Sequence, residues 1–494
     1  MNLKNIHNIY FIGIGGIGMS ALARFFNRMG KNIAGYDRTS TPLTRQLESE
    51  GMHIHYQDEP DRIPAAYKEK NNTLVVFTPA IPDTHHELNH FRKLGFTVMK
   101  RAALLGKITA SNKGIAVAGT HGKTSVSAII AHILMNADIH VSAFLGGIAV
   151  NYNTNFITSR LKQPEGKDDA NASFFAGFKD EEPGKSNTGH MGDLSGNSYI
   201  VMEADEYDRS FLQLHPYIGL VTSMDPDHLD IYGSHDELKK AFGQFAGQIS
   251  PGGTLVHKAG LEENFRSIQG IEKYTYAFEE KADYRSVNVR IDDGSYVFDL
   301  VAPGQKITDI RMSYPGKMNV ENATGAIAAC MSLGIQDPMI FRKALKNFMG
   351  VKRRFELVIK SDKLIFIDDY AHHPRELEAC ITSVRALYPD RRITGIFQPH
   401  LYSRTRDFAG GFAKSLSLLD ELVMLDIYPA REEPMEGVSS KMILDKVDLK
   451  NKSLVAKDEL VTAIKNKKPE LLLTLGAGDI DQLVEPLKKE LQKL

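Results

Sequence analysis

The chain has 494 residues, with 42% hydrophobic residues and 60 lysines and arginines against 61 aspartates and glutamates. That make-up excludes collagen-like, disordered and disulfide-scaffold classes, and a length of this kind predicts about three domains. A formal net charge of −1 gives no global field for nucleic acid or an anionic membrane, so any anionic ligand must be held by local groups.

Two cysteines, Cys330 and Cys380, lie outside any CxxC or Cys/His cluster, which points to a reducing cytoplasm. The first apolar run is broken by Gly13, Gly15, Gly16 and Gly18, so no signal-peptide core forms there. No uncharged apolar stretch approaches the ~18–20 residues that span a bilayer. The expectation is a cytoplasmic protein without membrane insertion or nucleic-acid binding.

In chain order, residues 9–14 read as a strand, 15–18 as a glycine turn, 19–29 as a helix and 33–36 as the next strand, ending at Asp37. This βαβ opening can hold a pyrophosphate on Gly15, Gly16, Ile17 and Gly18, with Asp37 placed to accept a ribose hydroxyl. Taken alone, the GxGxxG pattern suggests NAD or FAD, or a ligand-free tight turn. A second strand, 114–118, leads into Gly119-Thr120-His121-Gly122-Lys123-Thr124-Ser125 and a helix to about residue 135. Such a loop supplies inward amides, an ammonium for the β/γ-phosphates and a hydroxyl for Mg²⁺. Val117 stands where the full phosphate-loop pattern has glycine, so the turn is a tighter variant.

The segment 159–197 is rich in Gly, Ser, Asn, Asp, Lys and Pro and reads as a flexible excursion. Beyond it, an apolar strand ends at Glu203, followed by Asp205, Glu206 and Asp208. One carboxylate there suits Mg²⁺, and the other acids read as surface or capping groups. His228, after the next apolar run, divides evenly between a site residue and a structural one. Asn319 and Asn322, three apart, can read an adenine edge or position a phosphate, with helix capping by Asn319 the simpler account. Lys352-Arg353-Arg354 is either a solvated charge run or a phosphate clamp at a linker. A third strand, 364–367, leads into Asp368-Asp369-Tyr370-Ala371-His372-His373-Pro374 and a helix over 376–387. That cluster suggests a site, with zinc an open alternative. Further strands at 394–397, 422–425 and 471–475 complete the alternation. The fold class is α/β with mostly parallel sheets and sites at strand C-terminal ends.

The ordered series GIGGIGMS, GTHGKTS, EADEYD, DPDHLDIYG, NVENA, RRFE, DDYAHHP, FQPHLYSRTR and LGAGDI resembles the Mur ligases of peptidoglycan synthesis, and within them the alanine-adding branch. The resemblance implies three domains: an N-terminal Rossmann-like domain over 1–107, a central P-loop ATPase over 108–350 and a C-terminal Rossmann-like amino-acid-side domain over 351–494. The connections fall at 107–113 and about 350–354.

The resemblance also implies an ATP-dependent ligase, using ATP and Mg²⁺ to join L-alanine to UDP-N-acetylmuramate through an acyl phosphate. The first loop (Gly15, Gly16, Ile17, Gly18, with Asp37, Thr78 and Arg404) would then hold UDP and not a nicotinamide. Gly119, Thr120, His121, Gly122, Lys123, Thr124, Ser125, Asn319, Asn322, Arg353 and Asp369 match ATP-side positions. Thr124, Glu203 and His228 match the metal site, and Tyr370, His372 and His373 the amino-acid pocket. Lys123, His228, Arg353 and His373 carry the implied chemistry. Met318 and Leu401 stand where the family has histidine and arginine. The alternatives are a tripeptide-recycling ligase and, from another class, an NAD-dependent oxidoreductase. The oligomeric expectation is a monomer or homodimer.

Overall fold

The computed structural model describes residues 6–110, 113–159, 198–226, 229–430 and 432–493. The expected excursion at 159–197 lies, but for Ser159, outside the described residues, as does His228.

Five strands form the first sheet: β1 (Asn8–Ile12), β2 (Asn32–Tyr36), β3 (His53–His55), β4 (Thr73–Phe77) and β5 (Thr97–Lys100), in the order β3-β2-β1-β4-β5. All pairings are parallel. β1 and β4 are buried at every position, as expected for strands covered on both faces. β1 ends at Ile12 because Gly13 turns to φ +85°, a conformation that suits glycine. Helix α1 (Ile17–Arg28) follows, so the strand is shorter and the helix earlier than the sequence suggests. The strand order reverses at β1, and the crevice beyond β1 and β4 is where ligands of open α/β sheets bind.

After α2 (Pro42–Ser49), α3 (His86–Lys93) and α4 (Arg101–Ala110), the chain enters a ten-stranded sheet. Its strands are β6 (Lys113–Ala118), β7 (Val141–Ala149), β8 (Thr154–Thr158), β9 (Tyr199–Ala204), β10 (Ile218–Val221), β11 (Thr254–Lys258), β12 (Glu272–Phe278), β13 (Tyr284–Asp292), β14 (Ser295–Ala302) and β15 (Gln305–Met312). The order is β15-β14-β13-β12-β11-β10-β6-β9-β7-β8. Helix α5 (Lys123–Asn136) follows the central strand β6. The connection expected at 107–113 is corrected: the chain is helical through Ala110 and extended from Lys113.

The third sheet has β16 (Glu356–Lys360), β17 (Ile365–Asp369), β18 (Ile393–Phe397), β19 (Glu421–Met424), β20 (Lys452–Leu454) and β21 (Leu471–Leu475), ordered β16-β17-β21-β18-β19-β20. The β16–β17 pairing is antiparallel, and the other pairings of this sheet are parallel.

The chain divides into two compact units, one comprising 1–287, 299–310 and 321–345 and the other 288–298, 311–320 and 346–494. Within the first unit, the N-terminal sheet and the central sheet share one apolar core. Phe25 of α1 lies 5.2 Å from Phe144 and 5.8 Å from Phe156, ring centre to ring centre. Beside them Arg24, 4% exposed, donates to Glu50 at 2.8 to 3.0 Å and to Asn155 at 2.5 Å. Asn155 in turn donates to Ser20 Oγ at 2.8 Å. A buried guanidinium requires this full set of acceptors. Among the described residues, no helix is long and apolar enough to cross a membrane.

Candidate active site

The loop after β6 is shaped by two left-handed glycines, Gly119 at φ +134° and Gly122 at φ +81°. A Cβ on Gly122 would lie 2.8 Å from Asn322 Oδ1, so glycine lets the Asn322 amide cross the loop. The neighbouring strand end fixes the remainder. Thr120 and Ser223 share a hydroxyl hydrogen bond of 2.9 Å, His121 N–H donates to Ser223 Oγ at 2.9 Å, and Asp225 N–H donates to Thr120 Oγ1 at 3.2 Å. Ser125 is buried in the first turn of α5. His121 stays exposed, with Nε2 3.7 Å from Asp225.

Lys123 Nζ donates to the Gly119 carbonyl at 2.6 Å and to both oxygens of Glu206 at 2.8 and 2.9 Å. Glu206 is 1% exposed. This corrects the reading of Glu206 as a surface or capping acid: it is the buried counter-charge of the loop lysine. Thr124 Oγ1 donates to Glu203 Oε2 at 3.2 Å, and Glu203 Oε1 accepts the Gly146 amide. A hydroxyl and a carboxylate so close are the hard oxygen donors magnesium takes alongside nucleotide phosphates, and they fit it. Among the described residues, no group of three or more His, Cys, Asp or Glu could hold a metal, which the zinc alternative for Asp368 to His373 required.

At the first loop, the crevice side of β1 is built from Gly13 to Gly18. A Cβ on Gly13 would meet Thr78 Cγ2 at 2.9 Å, which places the end of β4 against the turn. Asp37 does not stand open. Its Oδ2 accepts the Gly15 amide at 2.7 Å and its Oδ1 the Thr39 amide at 3.3 Å, so it braces the loop. Gly16 caps α1, and Ile17 begins it. Gly18 lies against the guanidinium of Arg101, where a Cβ would overlap it. Sequence reading missed Arg101, because a lone arginine opening a helix carries no motif.

The second unit groups the later candidates. Arg353, at φ +61°, donates from Nε to Asp368 at 3.3 Å and from a terminal nitrogen to the Gly476 carbonyl. The Arg353 and Arg354 guanidinium carbons lie 5.1 and 5.3 Å from the Tyr370 ring centre, within cation–π range. Asp369 accepts amides from Phe355 at 2.6 Å and Ala371 at 2.8 Å, so both of its oxygens pin the chain turn. Burial pushes its carboxyl up to about 6.

His372 Nδ1 lies 2.9 Å from the Tyr370 carbonyl. A carbonyl only accepts, so Nδ1 carries the proton and Nε2 is an acceptor. Burial lowers the His372 pKa against the pull of Glu376, and Arg404 lies close enough to lower it further. His373 instead accepts the Arg375 amide on Nδ1 at 3.3 Å and caps helix Pro374–Leu387 in a capping box with Glu376. Neutral His373 therefore carries its proton on Nε2.

Asn319 is also not a helix cap, since the helix runs Lys317–Ser332. Its amide donates back to Pro315 O at 2.5 Å. Met318 is 45% exposed and Leu401 caps helix Tyr402–Leu416 at φ +69°.

Three family models match the chain: "Mur ligase family, catalytic domain" over residues 8–129, "Mur ligase middle domain" over 117–330 and "Mur ligase, glutamate ligase domain" over 353–478. The UDP-N-acetylmuramate–L-alanine ligase of Parabacteroides distasonis is 46% identical over 493 residues, covering 100% of this chain and 99% of the relative. That of Flavobacterium johnsoniae is 45% identical over 493 residues, covering 100% of both chains. The crystal structure of UDP-N-acetylmuramate-alanine ligase MurC from Thermotoga maritima matches with a TM-score of 0.77 at 26% identity, covering 98% of this chain and 99% of that one. A murein peptide ligase from Psychrobacter arcticus shares the fold, with a TM-score of 0.64 at 20% identity over 99% of each chain.

Proposed function

The chain belongs to the Mur ligase family, and on that premise we propose that it uses ATP to join L-alanine to UDP-N-acetylmuramate in peptidoglycan precursor synthesis. The observation that carries the reading is that one compact unit holds both a glycine loop at a sheet switch point and a lysine-bearing phosphate loop. The full-length relatives that add alanine support the choice of amino acid. The three functional segments are taken as 1–107, 108–350 and 351–494.

In the first step the lactyl carboxylate of UDP-N-acetylmuramate attacks the γ-phosphorus of ATP. The bond to the bridging oxygen breaks, and ADP leaves from the acyl phosphate. Lys123 neutralises charge gathering on the transferred group, an effect strongest where donors are preorganised. Arg353 is assigned to the same charge by the resemblance. Magnesium, when bound, supplies further charge neutralisation; Thr124 and Glu203 would hold it, with His228 assigned to the same site. Asn322 and the loop from Gly119 to Ser125 position the phosphates. Asn319 and Asp369, assigned to the nucleotide by resemblance, serve through the chain turns they brace.

In the second step the alanine amine attacks the activated carbonyl and phosphate departs. The amine must lose a proton first. We assign His372 as the acceptor, because its Nε2 bears a lone pair while His373 presents an N–H. Tyr370 and Arg404 complete the amino-acid and sugar-nucleotide side. His372→Gln is expected to lower kcat and shift the acidic limb of the pH profile. His373→Gln is expected to lower thermal stability with kcat nearly unchanged. An equal kcat loss in the two variants would refute the assignment.

A further inference from the structure

We infer that Arg101 binds the diphosphate of the sugar nucleotide and that Asp205 ties it to the ATP site, so that the two nucleotides bind cooperatively. The inference rests on the proposed function and deepens it.

Arg101 is the first residue of α4, directly after the edge strand β5. Its guanidinium lies against Gly18, in the first turn of α1. That is electrostatically an odd place for a cation, because a helix N-terminus carries positive partial charge and favours anions. An anion that both the guanidinium and the loop amides face resolves the conflict, and a diphosphate is the anion the proposed substrate brings. The side chain is 24% exposed, so solvent and ligand reach it.

The guanidinium also faces a carboxylate. Arg101 lies 3.5 Å from Asp205 Oδ2, a long pairing to a carboxylate 41% exposed. Asp205 organises the turn after β9: its Oδ1 accepts the Tyr207 amide at 3.1 Å and its carbonyl the Phe211 amide and Ser210 hydroxyl, each at 2.9 Å. The same turn holds Asp208 and Arg209 at φ +54°, a costly conformation for both. Lys100 pairs with Asp208 at 3.5 Å, so two consecutive cations from β5 and α4 hold this strained turn. The residue after Asp205 is Glu206, which occupies Lys123. A diphosphate that draws Arg101 away from Asp205 therefore loosens the turn that keeps Glu206 on Lys123. The lysine becomes free for ATP phosphates. Arg101 is thus a binding residue and Asp205 a positioning residue. Coupling of this kind is reciprocal, so ATP must tighten the sugar nucleotide by the same factor.

The test is calorimetric titration of full-length protein with UDP-N-acetylmuramate, with and without a non-hydrolysable ATP analogue plus Mg²⁺. Wild type should bind the sugar nucleotide about 5-fold or more tightly when the analogue is present. Asp205→Asn should reduce that factor to near one, and Asp205→Glu should restore it, which a merely structural role would not do. Arg101→Lys, which keeps charge and loses the planar fork, should weaken sugar-nucleotide binding by ~10-fold. An unchanged factor in Asp205→Asn, or unchanged affinity in Arg101→Lys, overturns the inference. So does tight wild-type binding of both ligands with no coupling, which leaves the proposed function standing. No sugar-nucleotide binding by wild type refutes the function itself, and the inference with it.

Discussion

Lys123 meets Glu206 where the carboxylate is 1% exposed and the lysine side chain 16%. Removing one member of such a pair leaves a buried charge and costs about 3 kcal/mol or more. Lys123→Ala is therefore expected to abolish phosphate release, leave sugar-nucleotide binding nearly intact and lower the melting temperature. Lys123→Ala combined with Glu206→Gln should recover the melting temperature without activity; calorimetry and a phosphate assay on both variants check this. Gly146→Ala should act on the metal side, since a methyl there would press on the Glu203 carboxylate. The expected result is a higher Mg²⁺ requirement for half-maximal rate. The grouping of Lys123, Thr124 and Glu203 at adjacent strand ends was legible because loop and strand spacing put them there. Glu206 was not, because four acids within residues 203–208 look alike until the fold buries one. Arg101 and Ser223 were invisible for a related reason: each acts through a neighbour more than eighty residues away in sequence.

At the scale of elements, the glycine turns after β1 and β6 are readable because few residues other than glycine accept their backbone angles. Helix starts were less readable, as α1 begins two residues before the predicted position. Beneath the first sheet, Glu87 is fully buried, accepts from Tyr10 at 2.7 Å and faces His55 at 3.3 Å, with Asp58 paired to the adjacent His85 at 3.0 Å. Burial pushes its carboxyl up to about 8. The folded state thus holds a proton that the unfolded chain releases near 4.5, so this group makes stability fall as pH rises from about 4.5 to 8. Glu87→Gln should flatten that decline, measured by denaturation midpoints at pH 5, 6.5 and 8. No periodicity argument reveals this cluster, because its members come from separate elements of the chain. Phe156, 3% exposed and in ring contact with Phe25 and Phe144, joins α1 to β7 and β8. Phe156→Ala should cost about 3–5 kcal/mol. The loss should appear in one transition, because both sheets share that core.

For the whole molecule, three sheets follow one another in chain order, and the chain divides into two compact units. The N-terminal and central sheets fall in one unit through a common apolar core, which no linker composition announces. Near-neutral charge also gains a physical reading. Local groups, Lys123, loop amides and two helix N-termini, are available to hold two anionic nucleotides, so a global positive field is unnecessary. Alanine ligation is tested by phosphate release from the purified protein with ATP, Mg²⁺, UDP-N-acetylmuramate and each of a panel of amine acceptors. Release is expected only when all components are present, with L-alanine preferred and a product heavier by one alanine residue. No release with L-alanine, or a strong preference for a tripeptide acceptor, would refute alanine ligation.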